Sequence, residues 1–456
     1  MSLKVTAPAL CGGRFYLRPL SPPGYNPASF AVWFCVVSRF KEHDVKFGFR
    51  AALHHLFIAT VREGRLDVIW PDDQRTSYGN GTGFAAGMRI RGDSWVRRLA
   101  LDPGMALGEA YMDQGIMPFN GGIYELLAVF YANIRDRTIP ALAWKEKLDQ
   151  LLRPLLQANP AKRAKHNVAH HYDLNGRLYA LFLDRDRQYS CAYFPHGDET
   201  LEAAQVAKKR HIAAKLALTR PGLEVLDIGC GWGGMALTLA REYGARVLGI
   251  TLSEEQLAAA RARAAEAGLS ARVRFELQDY RALNQPFDRI VSVGMFEHVG
   301  VPNYPAYFAA IKRCLKPDGV ALVHSIGRSA GPSATNGWIA KYIFPGGYSP
   351  ALSEVMGPVE ASGLIITDVE ILRLHYAATL ALWRKRFAAN RDAISALYDE
   401  RFCRMFEFYL AGSELAFRLA DHMNFQLQLA REPTALPLTR DYMFEAERAR
   451  LAEPAE

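Results

Sequence analysis

Residues 224–240 read EVLDIGCGWGGMALTLA. The stretch opens on apolar, β-branched residues, crosses Gly229, Gly231, Gly233 and Gly234, and ends on an apolar run with helical spacing. That pattern predicts a strand, a tight turn and a helix. Glycines let the backbone approach a ligand closely, and the helix start adds positive potential behind it. Further along the chain, RVLGITLS, RVRFELQD, FDRIVSVG and GVALVHSI are β-rich apolar runs. Helix-period segments lie between them. One is SEEQLAAARARAAEAG (253–268), which opens on a Ser N-cap and closes on Gly. Such alternation predicts an α/β fold, a parallel sheet with helices on both faces.

The chain has 456 residues, which favours two domains. Residues 1–135 form the first zone. It mixes strand-like runs (HHLFIATV, RLDVIW, GMRIRG) with helical stretches at GEAYMDQG and GGIYELLAVFYANI. A connector at 136–165 carries Pro140, Pro154 and Pro160 and a basic cluster of Lys162, Arg163 and Lys165, followed by His166. The cluster reads either as solvated linker or as a lipid-headgroup contact. Residues 166–456 hold the glycine turn. The net charge of +8 suits an anionic partner, nucleic acid or a phospholipid surface, although the basic residues are dispersed. The six cysteines form no CxxC pair, so no metal site is expected, and scattered single cysteines suit a reducing cytosol. The N-terminus has no sustained apolar core of a signal peptide, and FAVWFCVV (30–37) is too short to span a bilayer. A cytoplasmic protein, soluble or peripheral to the membrane, is expected.

A dinucleotide fingerprint would space the third glycine differently and place an acid on the next strand. Here the spacing is DxGxGxG, with Asp227 ahead of the turn. It resembles the class I S-adenosylmethionine methyltransferases, which implies a Rossmann-like catalytic domain beside a smaller α+β N-terminal one. Where that class usually carries an acid for the ribose, this chain has Thr251, with Gln256 one helical turn on. An amide oxygen can accept hydroxyl hydrogen bonds as well. After the third strand, Asp279 could accept from an adenine amine and Tyr280 could cover the ring, or the pair could be a surface turn.

With GCGWGG, TLSEEQ and GMFEHVG in one order, the chain resembles the cyclopropane-fatty-acyl-phospholipid synthase family. Segments 171–194, 341–350, 375–383 and 404–417 are similar to that family too, and LALDPGMALGEAYMDQG (99–115) resembles its N-terminal domain. The resemblance implies methyl transfer from S-adenosylmethionine to a cis double bond in a phospholipid acyl chain. A bound bicarbonate would then take the proton that lets the ring close. It implies bicarbonate ligands at Cys191, through its main chain, at Glu297, His324 and Tyr376, and at Ile326 through its N–H. It places Tyr189 and Ser190 at the methionine end, Gly229 and Gly231 beneath it, and Thr251, Gln256 and Tyr280 at ribose and adenine. His298 is expected to be a structural partner of nearby backbone. KYIFPGGYSP (341–350) and the helix ending EFYLAG are expected to line an acyl tunnel. The N-terminal domain would engage lipid and form a homodimer at the bilayer surface, and Lys208, Lys209 and Arg210 are candidate headgroup contacts.

Three other readings remain open. A sister methyltransferase would leave a methyl or methylene branch. A lipid-binding protein could keep the fold without the chemistry. A nucleic-acid methyltransferase has only the basic charge in its favour: there is no Asn/Asp-Pro-Pro-aromatic motif and no basic–aromatic stripe, so no nucleic-acid partner is expected.

Overall fold

The computed structural model describes residues 45–134 and 176–451. The expected connector at 136–165, its basic cluster and residues 1–44 lie outside the described residues.

The first module begins with a helix, Val45–Thr60. Then come β1 (Arg65–Ile69), β2 (Arg75–Tyr78) and β3 (Ala85–Ile90). Helices Asp93–Leu101 and Pro103–Met112, β4 (Ile116–Phe119) and helix Ile123–Ile134 complete it. The strands form one sheet in the order β2-β1-β3-β4, with β1 and β3 parallel and both outer pairs antiparallel. HHLFIATV was expected as a strand; it ends the first helix instead. Leu53, Phe57 and Thr60, spaced four and three apart, are all buried, so one helical stripe buries what an extended run would split between two faces. Asp102 starts helix Pro103–Met112, its side chain accepting from the Met105 N–H, with Pro103 in the first turn.

The second sheet has seven strands in the order β10-β11-β9-β8-β5-β6-β7. These are β5 (Glu224–Ile228), β6 (Arg246–Thr251), β7 (Val273–Leu277), β8 (Phe287–Val293), β9 (Leu315–Arg328), β10 (Ile365–Ile371) and β11 (His422–Ala430). Strands β5 to β9 run parallel, and β11 lies antiparallel between β9 and β10. The chain winds from β5 through β6 to the β7 edge, then returns to β8 on the other side of β5. Ligands bind at such a switch point, beyond the carboxyl ends of the strands. Helix Glu254–Glu266 is capped as the sequence foretells: Ser253 accepts from the Gln256 N–H, and Gly268 turns the chain at φ +65°.

Helices Gly176–Phe182, Gly337–Tyr342, His375–Ala389, Arg391–Leu397 and Glu400–Leu419 form an added layer, packed through Phe182, Trp383, Phe387 and Phe406. The last of them joins the two modules. Its Ala411 and Leu415 enter the first module's core, and the Tyr111 hydroxyl donates to Glu407 at 2.9 Å.

One expectation is overturned here. Lys208, Lys209 and Arg210 are buried and cannot meet headgroups. They lie on helix Leu201–Lys215, which is covered by helix Asp441–Leu451: the Arg210 guanidinium donates to the Arg450 carbonyl at 2.9 Å and pairs with Glu242 at 3.0 Å. Lys209 pairs with Asp186 at 2.5 Å. Among the described residues, no helix is long and apolar enough to cross a membrane.

Candidate active site

Two cavities meet at the carboxyl ends of the parallel strands. The first encloses about 160 Å³. Tyr189, Ser190, Asp227, Gly229, Gly231, Thr251, Gln256, Asp279 and Tyr280 all line it. Its floor is the turn after β5. Gly229 and Gly231 have φ of +80° and +53°, a region that side chains strain to enter. A Cβ on Gly229 would sit 2.9 Å from Met295, whereas one on Gly231 would meet no protein atom within 4 Å. The backbone at Gly231 is thus bare towards the space it lines.

Asp227 is buried at the end of β5, and its Oδ2 has no partner among the described residues. Burial pushes its carboxyl up to about 7. The Thr251 hydroxyl donates to Gln256 Oε1 at 2.9 Å, so these two side chains act as one polar unit, with that oxygen already shared. Asp279 departs from the simple expectation. Its carboxylate is clasped by Arg281, at 2.9 Å to Nε and 2.5 Å to Nη2, so any adenine amine would have to share it. Tyr280 stands edge-on to Tyr307, with ring centres 5.3 Å apart.

The second cavity is larger, about 420 Å³, and mostly apolar. It gathers Cys191, Glu297, His324, Ile326 and Tyr376 from segments far apart in sequence. Glu297 sits in the short 3-10 turn after β8. Its Oε1 accepts from the Ile326 N–H at 2.7 Å, while Oε2 is buried and has no partner among the described residues. Burial raises its carboxyl to about 7, so this acid holds its proton far longer than an exposed glutamate. The Ile326 N–H, expected to face an anion, is therefore engaged by Glu297.

His324 lies on β9 and is fully buried. The Lys215 ammonium can only donate, so Gln426 turns its oxygen to Lys215 (2.8 Å) and its NH2 to His324 Nδ1 (3.1 Å). Nδ1 accepts, which leaves the proton of the neutral ring on Nε2. The Asn424 amide, 2.7 Å from Nε2, must then present its oxygen to the ring. Burial and the nearby Lys208 and Lys215 charges hold the ring well below its ordinary pKa. The Cys191 thiol is buried and pushed far up by desolvation, which removes it as a nucleophile. Tyr376 packs against Phe417 and Trp383.

Tyr189, Ser190, Gly294 and His298 line both spaces and form the partition between them. Burial lowers His298 to about 4, so a neutral imidazole stands there. His298, read from the sequence as a partner of nearby backbone, also lines this partition. The sequence reading of Lys208 as a headgroup contact missed its place here. That ammonium, wholly buried, donates to Gln188 Oε1 at 2.5 Å and to Ser190 Oγ at 2.9 Å, and so holds the partition from beneath. The signal was in the helical phase: Lys208 falls on one stripe with buried Leu201, Gln205 and Ile212.

Residues 159–427, more than half of the chain, match the family described as mycolic acid cyclopropane synthetase. The chain belongs to that family. Residues 53–137 match a domain of unknown function. This family member is 40% identical over 352 residues to the cyclopropane-fatty-acyl-phospholipid synthase of Escherichia coli strain K12, covering 76% of this chain and 88% of that one. It is 37% identical over 356 residues to the tuberculostearic acid methyltransferase UfaA1 of Mycobacterium tuberculosis, covering 75% of this chain and 82% of that one. Among solved structures, it is similar to the cyclopropane synthase MmaA2 from Mycobacterium tuberculosis, with TM-score 0.56 and 35% identity over 60% of this chain and 99% of that one. The cyclopropane synthase CmaA1 in complex with SAH and CTAB has TM-score 0.55 and 35% identity, covering 60% of this chain and 99% of that one. The catalytic part of this family member therefore has the class I S-adenosylmethionine methyltransferase fold.

Proposed function

We propose that the protein transfers a methyl group from S-adenosylmethionine to the cis double bond of an unsaturated phospholipid acyl chain and closes a cyclopropane ring there. One observation carries the reading: a cleft at the switch point and an apolar cavity share a thin partition, and on the apolar side the buried Glu297 carboxyl keeps its Oε2 without a partner among the described residues. The cleft fits the donor. Gly231 offers bare backbone, Thr251 and Gln256 offer polar atoms for hydroxyls, and Asp227 at the strand end keeps its Oδ2 without a partner among the described residues. S-adenosylmethionine supplies an electrophilic methyl on a sulfonium.

The chain's own residues do the rest. The alkene is a weak nucleophile, so the apolar lining must hold it in line with the methyl and keep water out. As the π pair forms the new C–C bond, the S–C pair stays on sulfur and the far alkene carbon becomes cationic. Loss of a proton from the new methyl leaves the C–H pair to close the ring. Of the five residues from Cys191 to Tyr376, Glu297 Oε2 is left for a small anion beside that cation; the Ile326 N–H is taken by Glu297 and the His324 ring nitrogens by Gln426 and Asn424, so those contacts would have to open for them to join it. Lys208 and Lys215 lie behind them as buried positive charges, and Glu297 can donate from Oε2 while it keeps its proton. Bicarbonate held there supplies the base. This assignment also gives Glu297 a reason to be protonated: a carboxylate beside an anion would repel it.

The tuberculostearic acid relative keeps a second reading alive, in which the same cation is quenched to a methyl or methylene branch. The remaining expectations, a homodimer at the cytoplasmic membrane surface, fit a lipid substrate and are part of this proposal. The test is mass spectrometry of lipids from vesicles of unsaturated phospholipid incubated with the protein and S-adenosylmethionine, with and without bicarbonate. A gain of one CH2 as a hydrogenation-resistant ring, stimulated by bicarbonate, is expected. A branched product would move the reading to the sister reaction, and no gain would remove it. Glu297→Gln should still bind S-adenosylmethionine and lose roughly a hundredfold or more in turnover; turnover like the wild type would take Glu297 out of the chemistry.

A further inference from the structure

The apolar cavity is not closed by the catalytic domain alone. Helix Ile123–Ile134 of the first module gives it Leu127, Phe130, Tyr131 and Ile134, at the spacing of one helical stripe. Pro103, Gly104 and Leu107 line it from a second helix of that module. A second stripe of Ile123–Ile134 is spent inside the module, where Leu126 and Val129 are fully buried and Asn133 closes four hydrogen bonds with Arg62, Glu63 and Val129. A helix that is apolar on two faces is buried on two faces. It is one rigid wall shared between two modules.

The wall is fixed to the reaction side by polar anchors. Buried Glu109 takes Arg98 of its own module, and Lys341 (2.7 Å) and Tyr342 (2.8 Å) of the catalytic domain. A Cβ on Gly108 would fall 2.4 Å from the Trp338 ring, so the two helices touch there with only a hydrogen between. The exposed residues of the cavity lining are Gly104, Ile134 and Asn336, and these mark its mouth. The partition with the cofactor cleft is built from other residues, all of the catalytic domain.

We propose that the first module, which matches a domain of unknown function, is the entrance segment of the acyl channel and acts as a ruler. An acyl chain whose headgroup stays at the mouth must run along these two stripes before its double bond reaches the partition. The stripes therefore select where the double bond lies, counted from the ester. This rests on the proposed function, because it needs an acyl substrate.

The experiment compares two phospholipids that share headgroup and chain length but carry the cis double bond nearer to or further from the ester. The ratio of kcat/KM for the two is measured for the wild type, for Leu107→Trp, which fills the entrance, and for Phe130→Ala, which opens it. Melting temperature and S-adenosylmethionine affinity report that each variant is folded. A shift of the ratio by roughly tenfold in either folded variant is expected, the size of a discrimination by one or two methylenes. A ratio unchanged in both overturns the ruler. Weakened membrane docking lowers both rates together and leaves the ratio alone, so it cannot imitate the result. Failure of the wild type to add CH2 to either lipid would instead sink the underlying reading.

Discussion

The two cavities are built in opposite ways. The cofactor cleft is built around the turns after β5, β6, β7 and β8, with glycines where the chain must come close. The apolar cavity is made by residues on helices of both modules, on β9 and β11 and on loops, drawn from Pro103 to Asn424. A turn leaves a motif in consecutive residues. A cavity between packed helices leaves only phase, spread over hundreds of residues.

The comparison can be broken at its strongest point first. Gly231→Val puts a branched side chain at positive φ and into the cleft, and should weaken S-adenosylmethionine binding by at least about a hundredfold in calorimetry. Unchanged affinity would mean that the turn does not carry the donor.

The apolar side is probed through proton linkage. The folded chain holds the Glu297 proton up to about 7, against 4.5 for an ordinary glutamate. The stabilisation this gives is fully present below about pH 4.5 and is lost as pH rises through about 7. Glu297→Gln has nothing to lose, so between acid and neutral pH its stability should gain on that of the wild type by on the order of 3 kcal/mol in urea unfolding. Parallel pH profiles would show that Glu297 is ionised in the fold.

The smallest effect belongs to the seam between the two spaces. Lys208→Met should slacken the Gln188–Ser190 segment and cost roughly tenfold in kcat, with little change in S-adenosylmethionine affinity. A loss confined to affinity would place Lys208 with the cleft alone.

How much the sequence disclosed follows the same division. The parallel strands, the Ser253 cap and the glycine turn were all readable, because each depends on neighbours in sequence. The five residues of the apolar cavity could be named only through resemblance, since nothing local ties Cys191 to Tyr376. HHLFIATV misled because its β-branched and apolar residues suit a strand, and only the packing of Leu53 and Phe57 against the rest of the module decides for a helix. Lys208, Lys209 and Arg210 misled because a basic run usually faces water. Here Lys208 and Lys209 turn inward to the Gln188–Ser190 segment and Asp186, helix Asp441–Leu451, more than two hundred residues later, takes Arg210, and His211 of the same run is held between Glu370 and Glu447. Helix Ile123–Ile134 was legible as a helix, but its second buried face pointed at a partner that no local pattern could announce.

The partition has one more consequence. The cleft opens to solvent beside exposed Gly346, and the apolar cavity opens at Gly104, Ile134 and Asn336. Each substrate thus has its own door. The spent donor can leave and be replaced while the lipid stays seated, and the lipid can leave while the donor waits. On the proposed function neither traveller need queue behind the other, and initial-rate kinetics should show no obligatory order of binding.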